Sequence, residues 1–148
     1  MRIIVQRVSE ASCCVDKTIT GSINKGFLLF IGFKDDDTEE DSKKLLKKVI
    51  GLRIFEDEEG KMNKSLADVE GSILAISQFT LYADCKHGNR PSFTRSMRYD
   101  EANIRYKKFC DDLRSNNIVV EEGIFGADMK IKLLNDGPVT IILDSEYL

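Results

Sequence analysis

The chain predicts a mixed α and β fold: a β-rich single domain with a barrel-like or two-layer sheet core and two amphipathic helices packed outside it. Three observations carry that reading. Strand-like segments outnumber helical ones, and two stretches alone repeat their apolar residues at helical spacing. A length of 148 residues at 42% apolar composition supplies one core, and no linker, repeat or low-complexity segment divides it, so a single domain spans residues 1–148.

Strands are expected first at Ile3 to Val8 and Ala11 to Val15, then at Phe27 to Phe33, where Phe27-Leu28-Leu29-Phe30-Ile31 is unbroken by polar residues. Such a run suits a central strand covered on both faces. The first helix runs from about Glu39 to Gly51. Leu45, Leu46, Val49 and Ile50 form its apolar stripe, Lys43, Lys44, Lys47 and Lys48 lie opposite, and Thr38 followed by Asp41 marks its N-cap. A second central strand covers Ile73 to Phe79. The segment from Asp84 to Arg98 has neither period, and a long irregular stretch in a small domain is often functional.

The second helix is expected from about Asp100 to Ser115, with Ala102, Tyr106, Phe109, Cys110 and Leu113 on one face and Asn116-Asn117 as its stop. The remaining strands are Val119 to Glu121, Met129 to Leu134 and Val139 to Leu143, of which Met129-Lys130-Ile131-Lys132-Leu133 alternates and should be half exposed. On local chemistry Asp136-Gly137-Pro138 is a turn joining the last two, because Gly admits positive φ and Pro fixes φ.

Composition excludes several classes. Charge enters the first residues too early for a signal-peptide core and no apolar run approaches membrane-spanning length, so a cytoplasmic location is expected. Cys13, Cys14, Cys85 and Cys110 lack C-x-x-C spacing and read as reduced residues of core or surface. With His87 the only histidine, no conventional metal set is offered, and neither a metal nor an organic cofactor is expected. A net charge of −3 argues against nonspecific coating of nucleic acid, although Lys43 to Lys48 and the set Lys86, Arg90, Arg95 and Arg98 concentrate positive charge locally. Residue by residue, each of those clusters reads as a solvated helix face or loop.

The usual catalytic motifs are missing. Ser77 or Thr80 as nucleophile would have to borrow His87 as base, and no G-x-S-x-G turn surrounds either hydroxyl. Gly-rich phosphate or dinucleotide loops are absent.

Two other strings are informative together: Ser77-Gln78-Phe79-Thr80-Leu81 and Asn135-Asp136-Gly137-Pro138-Val139-Thr140. With Met1 to Val8, Arg53-Ile54-Phe55, Gly60-Lys61-Met62-Asn63, Gly88-Asn89-Arg90-Pro91-Ser92-Phe93 and Phe125 to Met129, in this order and spacing, the chain resembles the D-aminoacyl-tRNA deacylases of the D-tyrosyl-tRNA deacylase type over essentially its whole length. Lys17, where the family often has Gly, and Cys13-Cys14, in place of a small or β-branched pair, are departures outside these motifs.

The resemblance implies an ester hydrolase that frees D-amino acids, and also glycine, from mischarged tRNA. It further implies a homodimer in which a cis Gly137-Pro138 peptide enters the partner's site, its carbonyl oxygens facing the substrate's α-amino group and its backbone excluding L side chains. Ser77, Gln78, Phe79 and Thr80 would form the catalytic wall, with N–H groups around Phe79 and Thr80 facing the ester oxyanion. Leu81 and Val139 would join the Gly-Pro pair in binding substrate, and Phe125 and Met129 would hold the terminal adenine. Thr80 is expected to position substrate, the attacking water being assisted by the 2′-hydroxyl of the tRNA. Lys86 and Arg90 are expected tRNA contacts. Two other readings stay open: a noncatalytic tRNA- or protein-binding relative, and a hydrolase of small esters that needs no tRNA.

Overall fold

The computed structural model describes residues 1–148. β1 (Arg2–Val15) is one long strand where two were expected, because Ser9 and Glu10, although exposed, sit in a segment that stays paired to a neighbour. β2 (Thr18–Ile23), unanticipated, folds back on the end of β1, and β3 (Gly26–Gly32) then pairs with its beginning. α1 (Glu39–Gly51) follows, and a short hairpin of β4 (Phe55–Glu56) and β5 (Met62–Lys64) leads to β6 (Ser72–Ser77). A 3-10 turn (Phe79–Tyr82) and the irregular segment lead to α2 (Tyr99–Arg114), β7 (Val120–Glu122) and β8 (Lys130–Asp144).

The main sheet runs β2-β1-β3-β6-β7, with β8 antiparallel along β1. β3 and β6 are parallel, as are β6 and β7, so each connection must cross over, and these crossovers carry α1 and α2. The sheet curls until β2 approaches β7. A methyl group on Gly21 would fall 2.8 Å from the Glu122 carbonyl oxygen, so only glycine permits that approach.

The continuous apolar runs are explained by their two faces. Phe27, Leu29, Ile31, Ile73 and Ala75 point into a large core with Leu45 and Val49 of α1 and Tyr106, Phe109 and Leu113 of α2. Leu28, Leu74 and Ile76 point the other way, into a smaller core with Val8, Ala11, Cys13 and Ile23 inside the curl. Each such fully buried aliphatic or aromatic side chain contributes roughly 1.5–3 kcal/mol of transfer free energy.

Both helices begin or end as local chemistry dictates. The Thr38 hydroxyl accepts from the Asp41 N–H at 3.2 Å and the Asp41 carboxylate accepts from the Thr38 N–H at 2.8 Å, a reciprocal cap. The bond from the Thr38 hydroxyl, with the Thr38 N–H, holds the Asp41 carboxyl below its usual range. At the end of α2, Ser115 Oγ and Asn116 Nδ2 donate to the Asp111 and Asp112 carbonyls, and Asn117 turns the chain at φ 61°.

Two further expectations are corrected. The strand placed at Ile73 to Phe79 ends at Ser77, where the chain breaks into the 3-10 turn. Met129 to Leu134 and Val139 to Leu143 are halves of one strand, and Asp136-Gly137-Pro138 does not reverse the chain. Gln6 pairs with Thr140 and Val8 with Asn135, so Asp136, Gly137, Pro138 and Val139 bulge opposite Arg7 alone. The long β1 supplies partners on both sides of the bulge, which keeps β8 on course.

Candidate active site

The parallel strands β3 and β6 end side by side, and their carboxyl ends open into a cleft, the usual ligand position in such sheets. The cavity there measures about 590 Å³. Its floor comes from Ile31, Gly32 and Phe33 of the β3 end and Ile76, Ser77 and Gln78 of the β6 end. Phe125, Met129 and Tyr99 stand at one side, and Phe79, Phe93 and Ser96 at another.

Local bonds hold this shape. The Gln78 N–H donates to the Ile31 carbonyl at 2.7 Å, carrying the β3 and β6 pairing one residue past Ser77. Gln78 then adopts φ −146° and ψ 83°, which starts the 3-10 turn with no side-chain cap. The first N–H groups of such a turn have no partner inside it, and those of Phe79 and Thr80 donate to nothing else in the fold. The carbonyls of the turn are occupied: Ser96 Oγ donates to Phe79 O at 3.1 Å, and Arg2 Nη1 donates to Leu81 O at 2.7 Å. Unpaired donors on a backbone fixed from behind can stabilise negative charge developing in a ligand.

Beneath the cleft, the Tyr106 hydroxyl donates to the Ala75 carbonyl at 2.8 Å and ties α2 to β6. Burial pushes the Tyr106 hydroxyl and the Cys110 thiol well above their ordinary ranges, so both stay neutral supports. Tyr99 and Phe125 meet edge to face at 5.0 Å between ring centres, and the Tyr99 hydroxyl reaches the Phe125 carbonyl at 3.4 Å.

Of the residues singled out from sequence, Ser77, Gln78, Phe79, Phe125 and Met129 line this one cavity. Thr80 and Leu81 lie on the adjoining turn, outside the lining; Thr80 Oγ1 receives the Gln78 side-chain amide and touches no carboxylate or imidazole. Lys86 and Arg90 are exposed in the irregular segment and form no ion pair. Gly137, Pro138 and Val139 do not reach the cavity of their own chain. They sit on the bulge of β8, where the Gly137-Pro138 peptide bond is cis, Gly137 has φ 134°, and both residues are exposed.

That bulge is gripped from below. Asn135 Oδ1 accepts from the Val139 N–H at 2.9 Å, while Arg7 Nε donates to the Asp136 carbonyl at 2.9 Å and Arg7 Nη1 to the Ile54 carbonyl at 2.6 Å. Arg7 is 5% exposed, an unusual depth for a guanidinium. A methyl group on Gly137 would lie 3.0 Å from Arg7 Nη2, so the bulge is fitted to that side chain. Arg7 and Phe93 belong to matched strings without an assigned role, Phe93 and Ser96 both lie in the irregular segment, and Tyr99 carries no sequence signal of a cavity.

A single-domain α/β protein with an apolar cleft at the ends of parallel strands and unpaired backbone donors beside it is a ligand-binding or catalytic fold. Comparison with known proteins then narrows the class. A solved structure described as "c-Myc DNA Unwinding Element Binding Protein" superposes with a TM-score of 0.92 at 37% identity, covering 97% of this chain and 98% of that one. Another, described as a probable eukaryotic D-amino acid tRNA deacylase, shares the fold with a TM-score of 0.82 at 19% identity, covering 96% of this chain and 97% of that one. The family profile of D-Tyr-tRNA(Tyr) deacylase matches residues 4–144. The D-aminoacyl-tRNA deacylase of Clostridium beijerinckii is 55% identical, covering 99% of this chain and 98% of the relative. That of Thermotoga petrophila is 53% identical, covering 100% and 99%. The chain belongs to the D-aminoacyl-tRNA deacylase family, a family of hydrolases.

Proposed function

We propose that this chain hydrolyses the ester bond of D-aminoacyl-tRNA, and of glycyl-tRNA, releasing free amino acid and tRNA as a cytoplasmic homodimer that spares L-aminoacyl-tRNA. The observation that carries this reading is the pair of unpaired N–H groups of Phe79, in the lining of an apolar cavity, and Thr80, next to it on the adjoining turn, in a chain of this family. No helix is long and apolar enough to cross a membrane.

In this reading the ester carbonyl lies against Phe79 and Thr80, whose N–H groups take the charge that develops as water attacks. Because no side-chain base adjoins Thr80 Oγ1, its hydroxyl positions substrate and the 2′-hydroxyl of the terminal adenosine assists the water. Phe125 and Met129 receive the adenine, an aromatic face and a polarizable thioether being suited to a base. Ser77 and Gln78 complete the wall, and Leu81 and Val139 bind substrate at its margin.

Chiral selection comes from the other subunit. Gly137 and Pro138 are exposed on a braced bulge away from their own cavity, so in this reading they act in the partner's, their carbonyls taking the α-amino group. With the amino group and ester both fixed, an L side chain would overlap main chain while a D side chain points outward. β8 pairs only with β1, and Leu134 and Ile142 on it are 57% and 65% exposed, which supports a second copy against this face.

Deacylation of matched D- and L-aminoacyl-tRNA tests the activity: turnover of D and glycyl but not L substrate is expected, and equal rates for D and L would overturn the reading. Mixed dimers test the arrangement. A subunit altered at Phe79 paired with one altered at Gly137 and Pro138 should regain one intact site. No recovery would place the motif in its own chain's site.

A further inference from the structure

We propose that Phe79 and Phe93 form an aromatic platform at the mouth of the cavity on which the nucleobase preceding the terminal adenosine stacks; this rests on the reading of the cavity as the aminoacyl-adenosine site. The two rings meet edge to face, with centres 5.0 Å apart and planes at 65°. Phe79 is 56% and Phe93 38% exposed, so two neighbouring phenyl rings face solvent together. Isolated exposed aromatics are ordinary, but a paired patch continuous with a binding cavity marks a contact surface.

The surface is held ready for an occupant. Asp84 and Ser92 exchange backbone hydrogen bonds at 2.8 and 2.9 Å, which closes the loop that ends immediately before Phe93. Ser96 Oγ donates to the Phe79 carbonyl at 3.1 Å, joining the segment that carries Phe93 to the 3-10 turn. Rings fixed in advance lose little freedom when a flat ligand settles on them.

Position and charge select a nucleobase as that ligand. Phe79 and Phe93 line the same cavity as Phe125 and Met129 and are the more exposed of the four, so a strand whose last base lies against Phe125 and Met129 can leave the cavity across the two phenyl rings. Lys86 and Arg90, on the closed loop just before Phe93, have no carboxylate partner, leaving their charge for the connecting phosphate. Unpaired nucleotides are bound in this way, by aromatic faces combined with nearby cations.

The test compares hydrolysis of D-aminoacyl-adenosine with that of a D-aminoacyl dinucleotide carrying cytidine before the adenosine. In the wild type the added cytidine should raise kcat/KM about tenfold, the order of one base stacked on one ring. Phe93→Ala should reduce that ratio severalfold, and Phe93→Tyr should keep it. A ratio unchanged in Phe93→Ala, or a wild-type ratio near one, overturns the platform. A rise in the dimer dissociation constant of Phe93→Ala with the ratio intact shows instead that a second copy of the chain covers the rings. Absence of turnover on both substrates and on D-aminoacyl-tRNA would remove the deacylase reading and the platform with it. Turnover with an unaltered ratio removes the platform alone.

Discussion

Arg7 holds Asp136 by its main chain: Nε donates to the Asp136 carbonyl at 2.9 Å, from a guanidinium that also bonds the Ile54 carbonyl at 2.6 Å. One buried cation thereby ties the β8 bulge to the segment before β4. Its carboxylate neighbours, Asp136 at 3.8 Å and Glu56 at 4.0 Å, are both more than half exposed and lie at the limit of ion pairing, so the short carbonyl bonds dominate.

Arg7→Ala should therefore destabilise the fold by about 2–4 kcal/mol, since the buried Ile54 carbonyl and the partly buried Asp136 carbonyl lose their donor and a cavity opens. Arg7→Lys should recover only part, because a single ammonium cannot reproduce the planar fork. Chemical denaturation measures the loss. Under the proposed function both variants should also lower the preference for D over L substrate, and unchanged discrimination would show that the bulge keeps its shape unaided.

Thr80→Ala should retain deacylation within about tenfold of wild type, because its hydroxyl is bonded to the Gln78 side chain and to no base. A D-aminoacyl-tRNA ending in 2′-deoxyadenosine should be hydrolysed poorly. Loss of several orders of magnitude in Thr80→Ala, with normal turnover of the deoxy substrate, would make Thr80 the nucleophile.

Salt should weaken substrate binding, and Lys86→Ala with Arg90→Ala should reduce the log–log slope by about one to two units. Both side chains are exposed and free of ion pairs. If slope and KM stay unchanged, the lysines of α1, from Lys43 to Lys48, become the better candidates for the tRNA contact.

Acid stability should depend on the Arg2 and Asp144 pair, whose atoms lie 2.7 Å apart. Burial alone would raise the Asp144 carboxyl, but the Glu146 N–H and Arg2 outweigh it and bring it below its ordinary value of 3.8. A carboxyl lowered by folding stabilises the protein above its unfolded pKa, and that contribution is lost as pH falls through the folded one. Removing Arg2 raises the folded value toward the unfolded one, so Arg2→Ala should be less stable than wild type near neutrality, with the difference shrinking as pH falls through the range where Asp144 protonates. Denaturant midpoints measured from neutrality down to pH 3 would show parallel curves if the pair contributes nothing.

The sequence by itself determined what depends on near neighbours. The stripe Leu45, Leu46, Val49 and Ile50 and the Thr38 and Asp41 cap define α1 because helix contacts recur within four residues. The unbroken runs Phe27 to Ile31 and Ile73 to Ile76 announce strands with two covered faces, which they have. For the site, the Ser77 to Leu81 and Gly137-Pro138 strings stood out by resemblance; Ser77 to Phe79 line the cavity and Gly137-Pro138 sits on the β8 bulge. Tertiary structure decided the rest. Asp136-Gly137-Pro138 has the residues of a reversing turn, yet β1 pairs with β8 on both sides of it, and partners more than a hundred residues away leave no local trace. Gln78 and Phe79 continue an apolar strand in sequence, but Gln78 leaves the extended region and starts the 3-10 turn once its N–H has met Ile31. Arg7 beneath the bulge and Tyr99, Phe93 and Ser96 around the cavity acquire their places only when separate segments meet, since a cleft is a property of surfaces facing one another and no single segment encodes it.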